Sequence, residues 1–154
     1  MIAASTSRVE RNTADEINRA RRAEIEQSLA YHAGRPGEIP ARLAELDREW
    51  DIERAIEANA ATVSLAGLAL AGFVDRRFLL LSAGVAAFLL QHAIQGWCPP
   101  VPVLRRMGFR TPAEINEERC GLRALRGDFQ ALGRTAPAAG IFAQAEEIHE
   151  AVEA

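Results

Sequence analysis

Lysine is missing from this chain: all 18 basic residues are arginine. Arginine stands at exposed-looking and apolar-flanking positions alike, which reads as a bias of composition and not as a site. Cysteine is scarce. Cys98 and Cys120 lie in different contexts and make no disulfide framework. The first thirty residues hold no apolar run of the kind a secretory signal needs, so the N-terminus is expected in the cytoplasm. A net charge of −3 exerts no general pull on nucleic acid, and none is expected as a partner. No Ser-His-Asp arrangement, Gly-rich phosphate loop or carboxylate pair stands out. His92 precedes Cys98 by a turn and a half of helix, and no second Cys or His lies near. The expectation is a non-enzyme with no metal and no cofactor.

Charge is also missing locally, and here the absence is informative. Residues 58–74 and 78–104 carry none, and only Asp75, Arg76 and Arg77 separate the two runs. The apolar helical stretches, 58–74 and 78–94, are each about 25 Å long as helices, the short edge of a bilayer span. A core helix of a small soluble domain shows a polar face, and these show none. No other segment is apolar enough to cover both. The expected fold class is all-α: a transmembrane helical hairpin flanked by cytoplasmic amphipathic helices. Its segments are 1–38, 39–110 and 111–154. The alternative is a soluble helical interaction domain with the hairpin buried.

The second stretch is rich in Leu and Phe and favours insertion on its own. The first is weaker, but Ala60, Ser64, Gly67 and Ala71 form a stripe of small residues along it. Such a stripe admits a close partner helix, which is either the second stretch or a second copy of the chain in a homodimer. Six arginines flank the hairpin (Arg42, Arg48, Arg54, Arg105, Arg106, Arg110) against two in its turn. That asymmetry places both termini in the cytoplasm.

Outside the hairpin, Thr13 to Glu16 and Thr111 to Glu114 both read as capping boxes, the second with Pro112 in the first turn. The first opens a polar helix with Ile17, Ile25 and Leu29 as its contacts. The segment "GRPGEIP" at 34–40 breaks it. No Gly or Pro interrupts residues 41–66, so one helix is expected to run from the charged region into the apolar one. Glu45, Asp47, Glu49, Asp51, Glu53 and Glu57 then make an acidic, solvated face. The last box opens a helix with Ile115, Leu122, Leu125 and Phe129 on one side and Cys120 packed within it. A linker at 133–140 leads to a short helix marked by Ile141, Ala145, Ile148 and Val152.

Between hairpin and box lies "GWCPPVPVLRR". Gly96 releases the chain from the helix, and Trp97 suits the interface. Pro99, Pro100 and Pro102 predict an extended interfacial segment, held at its far end to lipid headgroups by Arg105 and Arg106. Cys98 reads either as a small residue packed under Trp97 or as a reactive thiol whose pKa those arginines lower.

A hairpin followed by Gly96-Trp97-Cys98-Pro99, with Arg54 and Asn59 at the start of the first span, resembles the YgaP-like inner-membrane transmembrane-domain family. The likeness covers roughly residues 45–110. It implies a small bacterial inner-membrane protein with two spans. Some members of that family fuse the hairpin to a rhodanese sulfurtransferase domain, for which this chain has no room. What the resemblance implies for Cys98 is at most persulfide acceptance or sulfur relay beside a separate rhodanese-type partner. The leading expectation is a non-enzymatic membrane module, in contact with the lipid bilayer, for self-association or partner anchoring.

Overall fold

The computed structural model describes residues 7–129, and the expected linker at 133–140 and final helix over Ile141, Ala145, Ile148 and Val152 lie outside them. Within the described residues the chain is helical and has no strand. The helices are α1 (Asp15–Ala33), α2 (Ile39–Leu46), α3 (Ile52–Phe73), α4 (Leu79–Gln95), α5 (Val101–Met107) and α6 (Pro112–Arg126).

The two expected capping boxes part company. At α6, Thr111 Oγ1 accepts from the Glu114 N–H at 3.2 Å, and Glu114 accepts from the Thr111 N–H at 2.7 Å. At α1 the box does not form. Thr13 Oγ1 instead donates to the Val9 carbonyl at 2.9 Å, closing the 3₁₀ turn Glu10–Asn12, and Ala14 precedes the helix without a side-chain cap. The hydroxyl is spent on the turn behind it.

The helix expected to run unbroken through 41–66 is two helices. The first ends at Leu46 with Asp47 at its C-cap, and Asp51 starts the second, where its carboxylate accepts from the Arg54 N–H at 2.8 Å and caps α3. A further free N–H of that helix start, on Ile52, donates to the Arg110 carbonyl at 2.8 Å. Such end groups need partners, and a capping acid supplies one. The acidic run is therefore divided between α2, a bend and α3. It is not one solvated face: Glu49 and Glu53 are partly buried and each meets an arginine.

The segments before and after the hairpin form one body. α1 and α2 both pack on α6, around Ile39, Leu43, Leu46, Ile115 and Leu122, with Leu29 against them. Gly121 lets Leu29 in: a Cβ there would lie 2.7 Å from Leu29 Cδ2. The inner stripe of α6 ends at Leu122. Leu125, Phe129 and Cys120, all expected to pack, are exposed; α6 finishes at Arg126, and Gly127 turns the chain at φ 93°.

α3 and α4 pack along each other. Ser82 Oγ donates to the Ser64 carbonyl at 3.0 Å. A Cβ on Gly67 would meet Ser82 Oγ at 2.5 Å. The stripe of small residues thus joins α3 to α4 within the chain, with Ala60 and Ala71 partly buried beside it. Asp75 caps the connecting 3₁₀ turn by accepting from the Arg77 N–H at 2.8 Å. Ile52–Phe73, and Arg76–Gln95 with that turn included, are long and apolar enough to cross a membrane, yet only 11% and 6% of their apolar stretches are buried. A core helix would be largely covered. These leave Leu65, Leu68, Phe73, Leu80 and Leu90 facing outward.

Candidate functional site

The hairpin meets the body at its base, and the residues singled out from the sequence gather there. Gly96 ends α4 in the left-handed region at φ 76°, as a helix C-terminus favours. It is buried against the N-terminal segment: a Cβ would sit 2.5 Å from the Arg8 backbone carbon and oxygen. Trp97 is half-buried. Pro99 and Pro100 form a turn, not an extended strand. Pro100 precedes α5, and Pro102 falls in its first turn. N–H groups there have no partner within a helix, so a proline loses nothing by lacking one. The prolines begin a helix that they were expected to forbid.

That helix draws Cys98 inward. The thiol packs with Val9, Ile52, Ala55, Ile56, Val101 and Leu104, and burial pushes its pKa up. Arg105 is no help to a thiolate. It is wholly buried and held by Glu114 through two bonds of 2.7 Å, with the Phe109 carbonyl at 3.0 Å and Asn18 Oδ1 at 3.1 Å. It therefore does not reach a lipid headgroup, whereas Arg106 is exposed. The geometry gives Cys98 a packing role. Cys120 is expected to react with a maleimide at least about ten times faster than Cys98 in the native protein, since Cys120 is exposed and Cys98 is buried. The reverse order, read by mass spectrometry of the two cysteine peptides, would restore the sulfur-handling reading.

Polar groups tie the base together, and none of them was visible as a set in the sequence. His92 is buried on α4, and its Nε2 lies 2.6 Å from Glu53 Oε2 on α3. The other Glu53 oxygen accepts from Arg8 at 3.0 Å. Asn12 donates to the Gln95 carbonyl at 2.9 Å. The segment from Arg8 through the 3₁₀ turn to Asn12 thus straps both hairpin helices. Arg8 and His92 stand 45 and 39 positions from Glu53, so no motif spacing could reveal the trio.

A second buried cluster holds the body beneath. Glu118, wholly buried on α6, accepts from Arg42 at 2.9 and 3.2 Å, from Ser28 at 2.5 Å and from Arg110. Arg110 also forks onto Glu49. Burial alone would raise the Glu118 carboxyl, but the bonds from Arg42, Arg110 and Ser28 outweigh it and hold its pKa down at about 2. Burial likewise opposes the charge on Glu114, and the Arg105 bonds hold that carboxyl below its usual range. Each carboxylate here is matched by an arginine, and the pairs are suited to fixing these elements in one arrangement. Among the described residues no group of three or more His, Cys, Asp or Glu comes together to hold a metal ion. Comparison of the chain with protein-family models, curated proteins and solved structures finds no match, so the fold and the base of the hairpin carry the functional argument.

Proposed function

We propose that this protein is an integral inner-membrane module, without catalytic activity of its own, that anchors a rigid helical body to the cytoplasmic face. The observation that carries the reading is the exposure of the hairpin. Phe73 is 91% exposed and Leu80 76% exposed, on helices long enough to span. Apolar patches of this extent on a soluble monomer are rare, and hydrocarbon is the solvent that suits them. The arginine asymmetry supports cytoplasmic termini, and the likeness to YgaP-like proteins points to the same compartment. Anchoring is favoured over self-association because Ser64 and Gly67 are already used between α3 and α4. The strap of Arg8 and Asn12 supports a joint that fixes the body relative to the membrane, as a platform for a partner would require. Alkaline carbonate extraction of membranes from expressing cells tests the reading. The protein is expected in the pellet; release into the supernatant would overturn it and favour a soluble interaction domain.

A further inference from the structure

His92 is a buried ionisable group of which the architecture uses only one side. It is 3% exposed, and its Nε2 lies 2.6 Å from Glu53 Oε2. An ionised carboxylate only accepts, so Nε2 carries the proton of the neutral ring. Nδ1 is then a bare lone pair, and among the described residues nothing bonds to it. The other Glu53 oxygen is held by Arg8 at 3.0 Å. One carboxylate thus serves one cation and one neutral ring. Among the described residues no further ion pair reaches these three. α3 contributes Glu53, the N-terminal segment contributes Arg8 and the neutral amide of Asn12, and Arg105 of α5 is taken up by Glu114. We propose that His92 is a proton-operated latch, whose protonation releases the N-terminal segment from the base of the hairpin. The inference concerns the joint itself and goes beyond the anchoring reading.

The chemistry of the trio sets the direction. Histidine is the side chain that changes charge between about pH 5 and 8. A proton taken up by His92 goes to Nδ1 and makes a buried N–H without an acceptor, an arrangement that folded proteins avoid. It also sets a second cation against the carboxylate that Arg8 already uses, so the trio passes from neutral to positive in a place partly shut off from water. Both costs are relieved when Arg8 withdraws and water enters. The N-terminal segment is the part able to give way. It lies over the last turn of α4, where Asn12 donates to the Gln95 carbonyl at 2.9 Å and the Arg8 backbone abuts Gly96. Gly96 in turn donates to the His92 carbonyl at 2.7 Å. Side-chain bonds from Arg8 and Asn12 and the burial of Val9 hold the segment there, whereas α3 and α4 pack along each other.

The test is hydrogen exchange of the full chain in detergent at about pH 8 and about pH 5, compared as protection factors so that the intrinsic pH dependence of exchange cancels. The Asn12 and Thr13 amides donate to Val9 and Glu10 in the closed joint. In the wild type they are expected to lose at least about ten-fold in protection at the lower pH, while amides inside α6 keep theirs. His92→Gln keeps a donor for Glu53 but takes up no proton, and is expected to show the same protection at both pH values. Arg8→Gln removes the competing cation, and its protection is expected to be lower at the higher pH and to change by less than about three-fold between the two. His32→Gln removes the other buried histidine of the described residues and is expected to behave as the wild type does. Equal wild-type protection at the two pH values, greater protection in acid, or a full fall that persists in His92→Gln or Arg8→Gln would overturn the proposal. So would a matching loss throughout α6, which would mean that acid unfolds the body and not the joint.

Discussion

Glu118→Ala is expected to destabilise the helical body by about 3–5 kcal/mol, the loss associated with breaking a buried ion pair by removing one partner. The carboxylate is fully buried, and three side chains donate to it. Without it, Arg110 keeps Glu49 but loses its inner partner, and the Ser28 hydroxyl and the Arg42 fork lose theirs. In detergent, the urea midpoint should fall by at least about 1 M. The exposed pair of Arg119 and Asp47 is the control, because such pairs contribute about 0–1 kcal/mol. Asp47→Asn should leave the midpoint nearly unchanged. Acid provides a second readout. The folded carboxyl sits at about 2 against an ordinary 4.5. Its stabilisation is therefore complete above pH 4.5 and is lost as pH falls toward 2. Glu118→Gln lacks that term at every pH, so its deficit relative to the wild type should narrow over the same window. A constant deficit would show that shape, not charge, holds the site.

Gly96→Ala is expected to release the N-terminal strap. Alanine at φ 76° carries a left-handed penalty of about 1–2 kcal/mol, and its Cβ would collide with the Arg8 backbone, which has no flexible end to move aside. Relief requires the 3₁₀ turn to withdraw, taking with it the Arg8 bond to Glu53 and the Asn12 bond to Gln95. Hydrogen exchange should then quicken at the Asn12 and Thr13 amides, which in the intact turn donate to Val9 and Glu10. Gly84→Ala, in open space on the same helix, should leave these amides protected. Equal protection in both variants would mean that the strap is not held through Gly96.

Much of this architecture is legible in the order of residues alone. The hairpin is, because an uncharged run stays uncharged wherever it is placed, and because Asp75-Arg76-Arg77 leaves no room for any connection but a turn. So are the Thr111 box and the release at Gly96, which depend on neighbours within four positions. Local sequence is ambiguous where a residue has two local options. Thr13 has a turn behind it and a helix ahead, and Asp51, one acid in the middle of a row, is the cap that starts α3. Proline inside a helix is a barrier, but Pro100 stands just before α5 and Pro102 in its first turn, where neither is one.

What only the tertiary structure decided is the pairing of charges and the fate of Cys98. Local composition sets the two long apolar helices, since transfer between water and an apolar medium acts on each residue nearly independently. Ion pairs such as Arg42 with Glu118, 76 positions apart, exist only once α2 and α6 have met, and with all 18 basic residues alike the sequence cannot say which arginine finds which acid. The same holds for Cys98: its neighbours Val9, Ile52 and Val101 come from three separate segments, and their packing, not the residues beside it in the chain, makes it a core thiol.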